Sequence, residues 1–174
     1  MKYLIITDIH GSKTNLEKVL SNVEFDKLLL LGDVLPHGPR NDLPVGYAPK
    51  EVIALLNPLK DKIICVRGNC DAEVDDMVLE FPILSLACIE HNGKNIYLTH
   101  GHKYNSTNPL NTENAVVLYG HTHVTKVDYV GSSIYLNIGS ITLPKDNKAC
   151  FAVLENSNIT VFDLNNNKIL EINF

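Results

Sequence analysis

Seven residues able to ligate metal ions lie in short motifs between residues 8 and 123, most of them next to a glycine. They are Asp8 and His10 in Asp8-Ile9-His10, Asp33 after Gly32, Asn69 after Gly68, His100 before Gly101, and His121 and His123 in Gly120-His121-Thr122-His123. Imidazole, carboxylate and amide oxygen without thiolate suit Mn²⁺, Zn²⁺, Fe or Co better than a soft-metal or iron–sulfur site. Seven ligands are too many for one catalytic ion that keeps an open position. They suit two ions sharing a carboxylate, about 3.5–4 Å apart. Each motif alone has an ordinary explanation, since Asp-x-His is usually a turn and Gly-Asp is often a helix cap. His100 alone could be a hydrogen-bonded core histidine.

Their positions argue otherwise. Ile5-Ile6-Thr7 runs into Asp8, Leu30-Leu31-Gly32 into Asp33, Val66-Arg67-Gly68 into Asn69, Tyr97-Leu98-Thr99 into His100, and Leu118-Tyr119-Gly120 into His121. Five apolar runs therefore each end in a ligand-type residue, and the carboxyl ends of strands line the ligand crevice in α/β sheets. Tyr3–Ile6, Leu28–Leu31 and Ile63–Val66 read as buried parallel strands. Two amphipathic helices separate them, one over 14–23 (Leu16, Val19, Leu20, Val23) and one carrying Val52, Leu55, Leu56 and Leu59. Thr14 and Glu17 have capping-box spacing. The β-α-β-α-β order predicts a parallel sheet with right-handed crossovers. The second half is strand-rich: 82–90, 96–99, 116–119, 124–130, 134–137, 150–154, 159–164 and 168–172, with turns at Asn92-Gly93 and Asn165-Asn166-Asn167. With neither a repeat nor a linker, the expectation is one α/β domain over 1–174 with two packed sheets.

Composition narrows the function. Of 174 residues, 45% are apolar and 20% charged, and the formal charge is −5. An acidic chain without a basic stripe argues against gripping a long nucleic-acid duplex. A phosphate substrate stays open: two divalent ions against two Asp and a hydroxide leave a local charge of about +1. Four cysteines without a C-x-x-C pair argue against a disulfide scaffold or a structural zinc site. No apolar run approaches the roughly 20 residues of a membrane span. The N-terminus enters the first motif without a signal-peptide core, so a cytoplasmic location is expected. Strands at sheet edges leave a homo-oligomer open.

In order, these motifs resemble the calcineurin-like metallophosphoesterase superfamily. Gly32-Asp33-Val34-Leu35 with His37-Gly38-Pro39-Arg40-Asn41, then Gly46-Tyr47-Ala48-Pro49 and Gly68-Asn69-Cys70-Asp71, is similar to its bacterial YfcE-type phosphodiesterases. Asn137-Ile138-Gly139-Ser140 resembles the family's Asn-Pro-Gly-Ser turn, with Ile in place of Pro. The resemblance implies a four-layer α/β/β/α sandwich of two mixed sheets flanked by helices. It implies a dinuclear site in which Asp8, His10 and His123 hold one ion, Asn69, His100 and His121 the other, and Asp33 bridges. Mn²⁺ is the implied ion, with Zn²⁺, Fe, Co²⁺ or Ni²⁺ as alternatives.

The expected activity is hydrolysis of a small phosphodiester by a metal-activated hydroxide, with Asp33 and Asn69 acting through the metals. A phosphomonoesterase or nuclease could use the same site. A third reading is a catalytically silent interaction scaffold, because the small retromer subunit resembles this fold without full metal competence. Where many superfamily members carry a His after Gly-Asn, this chain has Cys70. The leaving-group acid is therefore open among Cys70, His37 and His102. Arg40 and Arg67 are candidate phosphate contacts, since a guanidinium fork matches phosphate oxygens. Asp71 reads as the N-cap of a short helix through Met77.

Overall fold

Successive side chains of a strand point to opposite faces, and β1 (Tyr3–Ile6), buried throughout, uses both. Leu4 and Ile6 join a core with Leu16 and Val19 of α1 (Lys13–Asn22) and Val52 and Leu56 of α2 (Pro49–Leu56). Tyr3 and Ile5 face the opposite way, into a core shared with a second sheet. Burial on both faces is why this strand is continuously apolar.

The computed structural model describes residues 1–174. β1 pairs in parallel with β2 (Lys27–Leu30), which pairs with β3 (Ile63–Val66), as expected. A short helix, α3 (Asp75–Val78), precedes β4 (Ile83–Leu84), which adds in parallel to β3. On the far side of β1 stand three antiparallel strands from the end of the chain, β10 (Cys150–Glu155), β11 (Asn158–Asp163) and β12 (Lys168–Asn173). The second sheet has the order β5 (Ala87–His91), β6 (Lys94–Leu98), β7 (Val116–Tyr119), β9 (Ser133–Asn137), β8 (Lys126–Val130). Both sheets are mixed. Ile96, Leu98, Val116, Leu118 and Leu136 of the second pack against Ile5, Leu29 and Val66 of the first.

The fold is thus two mixed sheets with flanking helices. Over the outer face of the second sheet the covering layer is the segment 101–115, which has no regular helix. The Asn105 side-chain carbonyl accepts from the backbone N–H groups of Thr107 and Asn108, and the Tyr135 hydroxyl accepts from that of Leu110.

Two local expectations are corrected. The apolar run 82–90 is two strands, β4 and β5, in different sheets, because the chain crosses between sheets at Ser85-Leu86. The capping box at Thr14 and Glu17 does not form. The helix starts one residue earlier, behind Ser12, whose hydroxyl donates to the Val45 carbonyl, and Glu17 pairs with Lys13 at 2.8 Å.

Candidate metal centre

The ladder between β1 and β2 continues past the strands. The amide N–H groups of Asp8, His10 and Gly11 donate to the carbonyls of Gly32, Asp33 and Val34 at 3.1, 2.9 and 2.9 Å. In the second sheet the Gly120 N–H donates to the His100 carbonyl at 2.9 Å. Bonds between the sheets, from the His121 N–H to Asp8 Oδ2 at 3.0 Å and from His100 Nδ1 to the Leu31 carbonyl at 2.7 Å, bring the two loop sets to one edge of the molecule. The approach is tight enough to exclude side chains: a Cβ on Gly32 would stand 2.7 Å from the Gly68 Cα, and one on Gly68 would run into the Asp33 carboxylate. Glycine is required at both positions by contact alone.

Six of the seven predicted ligands converge through their ligating atoms. The Asp8 Oδ1 lies 3.1 Å from His123 Nε2 and 3.5 Å from His10 Nε2, and those two nitrogens are 3.3 Å apart. The Asp33 Oδ2 stands between this group and the next, 3.7 Å from His10 Nε2 and 3.4 Å from His100 Nε2. His100 Nε2 is 3.1 Å from the Asn69 Oδ1. The His121 ring meets His100 edge-on with centroids 5.1 Å apart. Asp8, His10, Asp33, His100 and His123 are all buried.

The backbone marks the same residues. Ten non-glycine residues have positive φ, and five of them are Asn in turns. The other five are Asp8, His10, Asp33, His121 and His123. A non-Gly residue held there costs about 1–3 kcal/mol and persists only where its surroundings enforce it.

The donor set fits metal ions. His10, His100 and His123 each turn Nδ1 to a backbone carbonyl, of Pro36, Leu31 and Leu143, at 2.9, 2.7 and 2.7 Å. An imidazole that donates from Nδ1 presents its Nε2 lone pair to the cluster, the usual arrangement behind a metal-ligating histidine. Asp8 Oδ2 accepts from the Thr7 hydroxyl and the His121 N–H, while the buried Oδ1 has no hydrogen-bond partner. Facing acceptors at such distances need a cation or a proton between them.

Protons can answer that need at a cost. Burial opposes charge on His10 and His100, but the Asp8 and Asp33 carboxylates outweigh it, so His10 rises above its ordinary value and His100 to about 9. Burial likewise works to raise Asp8 and Asp33, yet the histidines hold Asp8 well below the usual carboxylate range and Asp33 below its ordinary value. His121 and His102 shift down, through burial and then the His100 charge.

The five candidates for leaving-group acid or phosphate contact divide by position. His37 does not reach the site: its ring packs edge-on against Tyr47, 5.3 Å between centroids, away from the cavity over the cluster. Arg67 is not a phosphate contact here, because its guanidinium is paired with Asp76 (2.7 Å to Oδ1). Cys70 and Arg40 do line the cavity, whose volume is about 780 Å³. Burial, then Asp33, push the Cys70 thiol up to about 12, so it stays neutral. His102 lies behind the cluster, 5.4 Å from His100 between centroids, with a buried Nδ1 lacking a partner.

Asp71 is not a helix cap. One oxygen accepts from the backbone N–H groups of Asp33 (2.9 Å) and Gly68 (2.7 Å), the other from that of Val34 (2.8 Å). It ties the loop carrying Asp33 to the loop carrying Asn69, a link with no local sequence signal. Asp71→Asn offers an NH₂ where an acceptor is needed. It is expected to destabilise the fold by about 1–3 kcal/mol and to weaken metal binding, read by thermal melts and metal stoichiometry. Behind the His pair, the Asn137 amide donates to the Gly120 carbonyl and the Thr122 hydroxyl at 2.8 Å each, and Ser140 donates to the Asp8 carbonyl at 3.2 Å.

Comparison with known proteins decides the family. The calcineurin-like phosphoesterase superfamily domain matches residues 1–158. The chain belongs to that superfamily. A member with this site is a phosphoester hydrolase, so the protein is an enzyme. It is 42% identical to Phosphodiesterase YfcE of Escherichia coli K12, over 98% of this chain and 96% of the relative. The solved structure of YfcE, a phosphoesterase from E. coli, superposes with a TM-score of 0.94 at 40% identity, covering 99% of each chain. A zinc complex of Vps29 from Entamoeba histolytica shares the fold, with a TM-score of 0.61 at 19% identity over 99% of each chain. No helix is long and apolar enough to cross a membrane.

Proposed function

We propose that the protein is a metal-dependent phosphodiesterase with a dinuclear site, Mn²⁺ being the ion of first choice. Asp8, His10 and His123 would hold one ion, Asn69, His100 and His121 the other, and Asp33 would serve both. The observation that carries this reading is the position of Asp33 Oδ2, within 3.7 Å of His10 and 3.4 Å of His100. Divalent ions in such a site supply Lewis acidity toward phosphoryl oxygens and make water acidic enough to act as a nucleophile near neutral pH.

The protein's own groups do the rest. The Nδ1–carbonyl bonds fix the imidazoles before anything binds, so little reorganisation is needed when charge develops. The Cys70 N–H donates to Asp33 Oδ1 at 2.8 Å, leaving Oδ2 turned toward the histidines. Cys70 and Asn69 line the cavity beside Arg40, where a bound phosphoester would sit. A thiol stands at Cys70 where many superfamily members carry an imidazole, so the cavity suits esters whose leaving group departs without a strong acid.

Turnover of bis-p-nitrophenyl phosphate and p-nitrophenyl phosphate with added Mn²⁺ tests the reading. The diester is expected to be hydrolysed with the higher kcat/KM. Preference for the monoester, or no turnover of either, would overturn it.

A further inference from the structure

Resting on that reading, we propose that Arg40 and Lys145 form a subsite for a second anionic group, so that preferred substrates are diesters whose retained arm ends in a phosphate or carboxylate. Both residues line the cavity that holds Asp33, Asn69, His121 and His123. They arrive on different loops, Arg40 after β2 and Lys145 after β9. Each loop is anchored next to the site. The Asn41 amide donates to the His37 carbonyl at 2.7 Å and the Asn41 N–H to the Gly38 carbonyl at 3.3 Å, which sets the turn carrying Arg40. The Lys145 N–H donates to the carbonyl of His123 at 2.9 Å.

Neither side chain has a carboxylate within ion-pair distance, although the chain carries a net charge of −5. The only other arginine, Arg67, is neutralised by Asp76. Asp146, next to Lys145, is turned elsewhere: its oxygens accept from the Thr125 and Lys148 N–H groups. Two free cations at one cavity exceed what a neutral-armed diester uses. Such a diester carries one negative charge, and two divalent ions less the charges of Asp8 and Asp33 already offset it. The cavity also lacks what a nucleobase would use, for its only rings are the imidazoles of His121 and His123 and two prolines. Base stacking on aromatic side chains is the common sequence-tolerant grip on a nucleotide. Charge is the grip on offer here.

Three p-nitrophenyl phosphodiesters with one leaving group test this: those of glycerol, of glycerol 3-phosphate and of glycerate. With the Mn²⁺-loaded protein, kcat/KM for an anionic arm should exceed that for glycerol by about tenfold or more, and the preference should shrink as salt rises. The two anionic arms show whether phosphate or carboxylate is preferred. Arg40→Gln with Lys145→Gln should bring the anionic-to-glycerol ratio close to one. Equal kcat/KM for all three esters in the wild type, or an unchanged ratio in the double variant, overturns the subsite. An equal fall for all three in the variant also does, because Arg40 and Lys145 would then be serving the scissile phosphate. If no ester turns over, the phosphodiesterase reading fails separately. The subsite is then judged by calorimetry with glycerol 1,3-bisphosphate and glycerol 1-phosphate, and equal affinity for the two overturns it.

Discussion

Asp33→Asn is expected to lose both metal ions together and to lower kcat/KM on an activated diester by at least about 10³-fold, the several kcal/mol that metal charge supplies to a phosphoryl transition state. The change is nearly isosteric, so packing is not the cause. The amide oxygen can still accept the Cys70 N–H at the position of Oδ1, 2.8 Å away. The NH₂ then takes the place of Oδ2, facing His10 Nε2 and His100 Nε2 with hydrogens instead of a shared anionic oxygen. His123→Ala makes the contrast, since His123 stands only with Asp8 and His10 and should mainly weaken one ion. Metal analysis of the two variants after identical loading separates them. Two tightly held ions and near-normal turnover in Asp33→Asn would end the bridging assignment.

Much of the centre is legible in the sequence because each of five apolar runs gives way, within two or three residues, to a ligand-type side chain. Asp8, Asp33, Asn69, His100 and His121 are singled out as candidates by that recurrence. Their pairing is not, because Nδ1 partners such as the Leu31 and Leu143 carbonyls carry no residue identity. Asp71 and Lys145 escape for a related reason. Their significance lies in backbone groups or cavities formed by segments far apart in the chain. His37 misleads in the opposite direction: a histidine beside a glycine-rich turn reads as chemistry, yet Tyr47, ten residues on, takes its ring.

The fold shows the same division. Periodicity locates β1, α1, β2 and β3, whose strands pair in parallel in chain order; it does not show that β1 also pairs with β10 from the far end of the chain. It merges β4 and β5, because an apolar run records burial without saying in which sheet. The positive φ of five candidate ligands is hidden as well, since none of them lies in a turn signal of the kind Asn92-Gly93 gives. A neighbouring glycine hints at it for His10, Asp33 and His121, and none stands beside Asp8 or His123. The loops are therefore held in costly conformations by contacts that become visible in three dimensions.

That cost bears on what metal removal does. Chelation followed by gel filtration is expected to abolish turnover, and Mn²⁺ to restore it. The same step should lower the melting temperature. Asp8 Oδ1 is buried without a hydrogen-bond partner, and Asp8, His10, Asp33, His121 and His123 hold positive φ. An ion binds only the folded arrangement of these groups, since the unfolded chain does not assemble them. Binding therefore stabilises by about 2.7 kcal/mol at a free concentration 100-fold above Kd. For a chain of this size that corresponds to roughly 5–10 °C in Tm. Asp33→Asn separates this gain from nonspecific effects of divalent salt, because it should show little shift over the same Mn²⁺ range. Zn²⁺ should bind at least as tightly as Mn²⁺ by the affinity order of divalent ions, so occupancy and activity need not rank the ions alike, and both must be measured on one sample. Full turnover in protein verified free of metal would remove the ions from the mechanism. An unchanged Tm on loading would mean that the folded cluster gains nothing from them.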